Sequence, residues 1–196
     1  WALRPVHQNP ITLILDAGIE PDLWLRQLQA ANAARATLGL DLTPYLVTDQ
    51  PLGVSLSRSP SGASWGTVEN LDSLLRAADT AISELGAGAI AVVARFPDEE
   101  TAADQAYRSG NGVDPIAGAE AILSHAVVRE FRIPCAHAPA RAPWDLSPDV
   151  VPRAAAEELG YTFLNCVLAG LSRAPQFVDI STGEGSRRPG DIAAGE

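Results

Sequence analysis

The apolar and polar positions of this chain follow two periods, those of buried strands and of amphipathic helices. Residues 11–16 and 89–94 are short, almost entirely apolar runs, which are typical of strands buried on both faces of a sheet. Residues 21–38 have a helical pattern that begins with proline and stops before glycine, and a second helix is predicted after Asn70. Strands that alternate with helices predict a layered α/β domain whose mostly parallel sheet is flanked by helices.

The second half of the chain carries weaker signals. The further predicted elements are strands at residues 42–48, 54–56, 132–135 and 161–168, helices at 114–130 and 152–159, a loop at 59–66, and a loop at 97–111 for which a helical turn is the alternative. Residues 139–152 contain four prolines, and we expect them to run over the surface. Apolar periodicity is lost after residue 181. We therefore expect one α/β domain at residues 1–180 and a disordered tail at 181–196.

Charge and composition argue against several classes of protein. The chain has 14 basic and 24 acidic residues, which gives a net charge of −10. Neither nucleic acid nor a membrane surface is therefore expected as the partner. The chain has no lysine, which excludes a Schiff base and a Walker-type phosphate site unless another chain supplies the lysine. Two cysteines are too few for a disulfide framework and lack zinc-ligand spacing. We expect a reduced, cytoplasmic protein without a cofactor or a metal.

A glycine-rich turn at residues 109–114 is the first candidate binding element. Gly110 and Gly112 permit a positive φ, Asn111 lies between them, and Asp114 is predicted to begin a helix. Free N–H groups at a helix start favour anions, and Arg108 beside the turn would add a forked donor for a carboxylate or phosphate. The plain alternative is a loop that ends in an Asp cap.

Thiol and imidazole groups are the candidates for catalysis. Cys135 and His137 follow a short predicted strand, and His125 lies on the preceding helix. A thiol near an imidazole at a strand end could ionise and act as a nucleophile. The alternative is a buried cysteine that behaves as a small hydrophobe. Cys166 is predicted to lie on the strand at 161–168 with its side chain in the core. It is a candidate because two thiols, Cys135 and Cys166, could flank a substrate carbon as acid and base.

Other polar residues give weaker candidates. Ser64 has the Gly-x-Ser-x-Gly spacing of a nucleophile elbow (Gly62-Ala63-Ser64-Trp65-Gly66), but no apolar strand leads into it. Asp16 follows the first buried strand and Arg95 ends the second, so both could face the same sheet edge.

Long strings of the sequence resemble a known family. Among them are LILDAGIEP, SGASWGT, GVDPIAGAEAILSH, VVREFRIPCAHAPA and AAAEELGYTFLNCVLAGLSRAPQ. Over residues 1–178 the chain resembles the domain of unknown function 3326, a family of cyanobacterial-type uncharacterised proteins. The resemblance implies that family members are longer and that this chain is their C-terminal portion, in line with its lack of methionine. It implies no activity.

Three hypotheses follow. The first is a cofactor-independent, cysteine-assisted isomerase or amidohydrolase for a small carboxylate or amide, with Cys135 as thiol, His137 or His125 as base, and Cys166 as second thiol in the isomerase. The second is a non-catalytic domain that binds a small carboxylate or phosphate, or serves as a scaffold. The third is a serine hydrolase through Ser64. A missing N-terminal segment or a second copy of the chain is the expected macromolecular partner.

Overall fold

Four parallel strands form the central sheet of the protein. The computed structural model describes residues 1–98, 101–143, 145, 147–155, 162–181 and 188–193. The elements are β1 (Ala2–Arg4), β2 (Ile11–Leu15), α1 (Pro21–Leu38), β3 (Leu46–Val47), β4 (Val54–Arg58), β5 (Ser64–Val68), α2 (Leu71–Ser83), β6 (Ala89–Arg95), α3 (Ala102–Arg108), α4 (Ala117–Phe131), β7 (Cys135–Ala140), α5 (Thr162–Ser172), β8 (Gln176–Val178) and β9 (Ile192–Ala193). The central sheet has the order β3-β2-β6-β7, and all its pairs are parallel.

Helices cover both faces of this sheet. One buried cluster joins β2 and β6 to α1 and α5, and the other joins them to α2 and α4. The fold is therefore a layered α/β fold with a parallel sheet between helices, as the alternation of strands and helices predicts. The first strand in the sheet, β2, has β3 on one side and β6 on the other, so the strand order reverses between β2 and β6. In open α/β sheets, ligands commonly bind outside the carboxyl ends of the strands at such a point.

A hairpin of β4 and β5 packs on the beginning of α4. Two glycines make the close approach possible. A Cβ on Gly118 would lie 2.4 Å from the carbonyl oxygen of Ser64, and one on Gly66 would lie 2.5 Å from the Cβ of Ala119. The N–H of Gly118 also donates to Ser64 Oγ at 3.1 Å. The hairpin is thus fixed to α4 by contacts that leave no room for a side chain.

A small antiparallel sheet, β8-β1-β9, lies at the other end of the molecule. The side chain of Gln176 donates to Asn9 Oδ1 and to the carbonyl of Gly88, each at 2.7 Å. Gly88 immediately precedes β6, so the small sheet is held at the amino end of the central strands. Arg4 and Asp191 form a two-pronged ion pair that ties β1 to the chain before β9.

Several sequence predictions of element type or bounds are wrong. Residues 162–168 belong to α5, not to a strand, and the strand predicted at 132–135 instead begins at Cys135 and runs to Ala140. The helix predicted from Asp114 begins at Ala117. Residues 97–111 contain α3, a longer helix than the helical turn left open for that segment, and the loop predicted at 59–66 ends inside β5.

The remaining differences concern chain segments at the margins of elements. The strand predicted at 42–48 is reduced to Leu46–Val47. The side chain of Asn70 donates to the carbonyl of Pro51 at 2.7 Å and forms no cap on α2. Within the segment 181–196, which is expected to be a tail, Ile192–Ala193 form β9 and pair with β1. The helix predicted at 152–159 falls largely outside the described residues.

Candidate functional site

The buried carboxylate of Asp16 organises the carboxyl end of the sheet. Asp16 directly follows β2 and is 1% exposed. Its two oxygens accept backbone N–H groups from Gly18 at 2.8 Å, Leu52 at 2.9 Å and Arg95 at 2.9 Å. These donors lie on three separate chain segments: the turn into α1, the approach to β4, and the end of β6. Asp16, which the sequence places at the sheet edge, therefore holds these three segments together through buried hydrogen bonds.

Arg95 occupies the space above the point where the strand order reverses. Its guanidinium donates to Glu20 at 2.6 Å and forms a second ion pair with Asp98. The Arg95 hydrogen bonds lower the pKa of Glu20 and of Asp98. Asp98 also accepts the N–H of Ala142 at 2.7 Å. This crevice is filled by the protein's own charges, so a ligand would have to bind beside it.

The two thiols are far apart in character and in position. Cys135 packs against the cluster shared by α2 and α4, and burial raises the pKa of its thiol well above the ordinary value. Cys166 is exposed on α5, which covers the opposite face of the sheet. The prediction of a core position for Cys166 is wrong, because the segment is a helix. The structure does not bring the two thiols together, and Cys135 has the environment of a small hydrophobe.

His137 lies between β7 and α4, in contact with two side chains that the sequence analysis missed. Its Nδ1 is 3.0 Å from Ser124 Oγ, and its Nε2 is 3.7 Å from a carboxylate oxygen of Glu120. Burial, with a smaller contribution from nearby His125, lowers the pKa of His137 to about 4, so the ring is neutral at pH 7. His125 is exposed on α4. The four-residue spacing of Glu120 and Ser124 on one helix face was the available signal.

The glycine turn closes α3, and α4 begins only at Ala117, beyond the end of the turn. Within it, the N–H groups of Ser109, Gly110 and Asn111 donate to carbonyls of α3 at 2.8–3.1 Å. Gly110 and Gly112 have the expected positive φ, at 89° and 75°. Three of the N–H groups expected to cradle an anion are thus already used. Arg108, which precedes the turn, donates to the carbonyl of Asp145 at 3.3 Å and lines a groove of about 270 Å³.

Ser64 begins a strand of the hairpin and accepts a backbone N–H from α4. A nucleophile elbow joins a strand to a helix and exposes the serine above the sheet. Ser64 has neither feature.

A groove between the hairpin and α3 is lined mainly by apolar surface. It has a volume of about 360 Å³. Its lining residues are Leu56, Ser57, Arg58, Thr101, Ala102, Ala103, Asp104 and Pro115. Residues 101–104 follow β6, so the groove lies on the carboxyl side of the central sheet, where ligands of α/β proteins commonly bind.

One lining charge is neutralised within the protein and the other is not. Asp104 is buried, forms a capping box with Thr101, and lies 3.4 Å from Arg141. Arg58 ends β4, is exposed, and has no ion-pair partner among the described residues. Nearby Asp114 is half-buried, and burial raises its pKa. Within the described part of the chain, the groove therefore combines apolar walls with one guanidinium that no carboxylate pairs with.

Comparison with known proteins identifies relatives. The family model described as "Protein of unknown function (DUF3326)" matches residues 1–195, which confirms the resemblance drawn from the sequence. A protein of Synechococcus sp. (strain ATCC 27144) named an uncharacterized lipoprotein is 60% identical over 178 residues, which are 90% of this chain and 49% of that relative. The chain thus spans about half the length of the curated relative that it matches. No solved structure matches the chain. In the part of the chain that the structure describes, no helix has the length and apolarity to cross a bilayer.

Proposed function

The chain belongs to the DUF3326 family of proteins of unknown function, and we propose that it is a binding domain for a small organic carboxylate with an apolar body. The ligand lies in the groove between the β4–β5 hairpin and α3. The observation that carries the proposal is an apolar groove in which Arg58 is the one lining charge without an ion-pair partner among the described residues. Ligand pockets are largely apolar and use a few placed polar groups to orient the ligand.

The lining of the groove defines the class of ligand. Leu56, Pro115 and the two alanines at the start of α3 offer hydrocarbon surface, which favours an alkyl or aromatic body. The planar guanidinium of Arg58 can hold a carboxylate through two parallel hydrogen bonds. A volume of about 360 Å³ is near the lower end of the range for small-molecule sites, roughly 300–1,000 Å³. A medium-chain fatty acid such as octanoate has this combination of size, body and charge.

Binding without catalysis agrees better with the environment of the candidate catalytic groups. The raised pKa of Cys135 keeps it as a thiol, and the thiolate is the nucleophile in cysteine chemistry. Both ring nitrogens of His137 face α4 side chains. Of the three hypotheses drawn from the sequence, the carboxylate-binding domain is therefore the one that we retain, with Arg58 in the place first given to Arg108.

The name of the Synechococcus relative bears on where such a domain works. That protein is named a lipoprotein. We extend the proposal accordingly: this chain is the globular, ligand-binding part of a lipid-anchored protein. A membrane-attached setting replaces the cytoplasmic one expected from the sequence.

Calorimetric titration with octanoate tests the proposal. Arg58→Gln should weaken octanoate binding about tenfold, because a charge-assisted pair in a partly desolvated groove contributes on the order of 1–2 kcal/mol. Arg129→Gln, an exposed arginine at the far end of α4, is the matched control and should bind like the wild type. The wild type should bind octanol more weakly than octanoate. The Arg58→Gln variant should bind the two ligands equally well.

A second pair of variants tests the location. Ala102 is exposed on the groove wall at the first position of α3. Ala102→Glu places a negative charge there at a helix start, where acids are tolerated, and should repel octanoate. Ala102→Gln has nearly the same shape and should bind octanoate almost normally. If Ala102→Glu and Arg58→Gln each bind octanoate like the wild type, the groove is not the site. A loss confined to Arg108→Gln would place the ligand in the other groove.

A further inference from the structure

A cavity lies at the amino end of the central strands, between the ends of α1 and α5. Its volume of about 410 Å³ falls within the range of small-molecule sites, roughly 300–1,000 Å³. Three chain segments line it: the connection from β1 to β2, the turn that ends α1, and the end of α5. The groove described above is at the carboxyl end of the same strands, so the two recesses are separate.

One buried residue fixes a wall of this cavity. Asn9 is 2% exposed and lies in the connection from β1 to β2. Its N–H donates to the carbonyl of Ser172 at 2.7 Å, and its side-chain amide donates to the carbonyls of Leu171 and Ala174, each at 2.8 Å. The connection before β2 is thus bonded to the end of α5, so this wall is formed before a ligand arrives.

Two lining side chains are donors for an anion. Arg173 follows the end of α5 and is exposed, and its guanidinium has no hydrogen bond or ion pair within the described part of the chain. His7, on the connection from β1 to β2, likewise has no partner among the described residues. A guanidinium donates through two parallel N–H groups, and an imidazole ring donates through at least one. The lining contains no acidic residue; Asp41, the nearest along the chain, follows the lining residue Leu40.

The other polar side chains of the lining are acceptors. Ser172 Oγ donates its proton to the carbonyl of Ala169 at 2.7 Å, and Gln8 Nε2 donates to the carbonyl of Gly39 at 2.8 Å. These bonds satisfy carbonyls at the ends of α5 and α1. They also leave the lone pairs of Ser172 Oγ and the Gln8 carbonyl oxygen as the groups that can accept from a ligand hydroxyl.

We propose that this cavity binds a small phosphorylated sugar or polyol. Arg173 and His7 hold the phosphate, and Ser172 and Gln8 accept hydrogen bonds from hydroxyl groups of the ligand body. A phosphate matches two donor side chains better than a carboxylate does, because it offers more acceptor oxygens and more negative charge. The leucine side chains at the end of α1 cover the carbon skeleton of the ligand.

Calorimetric titration of the full 196-residue chain with glucose 6-phosphate tests the proposal. The wild type should bind it saturably, and should bind inorganic phosphate or glucose at least about tenfold more weakly, because each supplies only part of the contacts. Arg173→Gln should weaken glucose 6-phosphate binding about tenfold, since it removes the charged fork. Arg173→Lys keeps a charge beside the helix end without the fork, and its affinity should lie between the two.

Control variants separate binding from folding and from net charge. Arg129→Gln removes an exposed arginine from α4, on the other face of the sheet, and should bind glucose 6-phosphate like the wild type. Ala169→Glu places a carboxylate in the cavity wall and should bind more weakly than Ala169→Gln, which has nearly the same shape. Circular dichroism of each variant reports whether it is folded.

Three outcomes would overturn the inference. Absence of saturable glucose 6-phosphate binding by the wild type is the first, and binding that neither Arg173→Gln nor Ala169→Glu weakens is the second. Glucose 6-phosphate that binds no more tightly than inorganic phosphate is the third, because it would remove the role of the ligand hydroxyls. Octanoate titration of the same samples reports on the groove and should not change in these variants, so the failure of one proposal leaves the other standing.

Discussion

Substitution of Asp16 tests how the loops of the carboxyl end are held. The carboxylate accepts three backbone N–H groups from three chain segments in a fully buried position. Asp16→Asn keeps the size of the side chain. One of its two oxygens becomes an NH₂ group, which meets the N–H of Arg95 donor to donor.

The expected cost follows from this geometry. The oxygen that serves Gly18 and Leu52 can remain an acceptor, although it loses its charge. The bond to the Arg95 N–H is lost, and that buried N–H becomes unsatisfied. A hydrogen bond to a charged acceptor contributes about 1.5–3 kcal/mol, and an unsatisfied buried donor costs about 1–3 kcal/mol. We expect Asp16→Asn to lower the free energy of unfolding by about 2–4 kcal/mol.

Urea unfolding, followed by circular dichroism and tryptophan fluorescence, measures this loss. The midpoint should fall while the denaturant slope stays constant, because the surface exposed on unfolding is unchanged. Asp79→Asn is the matched control, since Asp79 is exposed on α2 and should change stability by less than about 0.5 kcal/mol. An Asp16→Asn variant as stable as this control would refute the proposed role of the carboxylate.

Three further predictions concern thiols, pH and packing. In the native protein iodoacetamide should label the exposed Cys166 much faster than Cys135, whose thiol is half-buried and has a raised pKa, and peptide mass spectrometry resolves the two; equal labelling rates would contradict this environment of Cys135. The unfolded His137 titrates near 6.5 and the folded one near 4, so stability should fall as pH decreases through that range, by up to about 3 kcal/mol. In urea titrations at several pH values, His137→Gln should reduce the dependence of the free energy of unfolding on pH. An unchanged pH dependence would mean that other groups cause it. Gly118→Ala should destabilise the protein through its clash with the hairpin backbone, whereas Gly170→Ala, in an open position of α5, should stabilise it by about 0.5–1 kcal/mol; thermal unfolding that shows equal effects would contradict the contact.

The elements that local pattern predicts well are those whose burial is uniform. Residues 11–15 and 89–95 are surrounded on both faces, so a short apolar run identifies them as central strands. Pro21 and Gly39 give the bounds of α1 because proline fits the first turn and Gly39 ends the helix with a φ of 65°.

The segment at residues 161–168 shows why other elements could not be predicted. Its alternation of apolar and polar residues fits a strand over one short window. The buried residues are Leu164, Leu168 and Leu171, which recur with the helical spacing of four and three. That spacing becomes visible only when Leu171, beyond the predicted strand, is included.

The candidate site could not be predicted from local sequence pattern because its residues are distant in the sequence. The groove combines residues 56–58, 101–104 and 115, which only the docking of the hairpin on α4 brings near α3. Likewise, the sequence contains Cys135 and His137 but not the burial that raises the pKa of one and lowers that of the other. Arg58 is an ordinary arginine in the sequence, and its lack of an ion-pair partner among the described residues is a property of the fold.

The most direct test of carboxylate binding is a map of amide chemical shifts in the ¹⁵N-labelled protein during titration with octanoate. We predict saturable shifts for Arg58 and for Ala102–Asp104 at the start of α3, with no comparable shifts around the Arg108 groove. Absence of saturable shifts at the groove, or shifts confined to another surface, would contradict the proposed site.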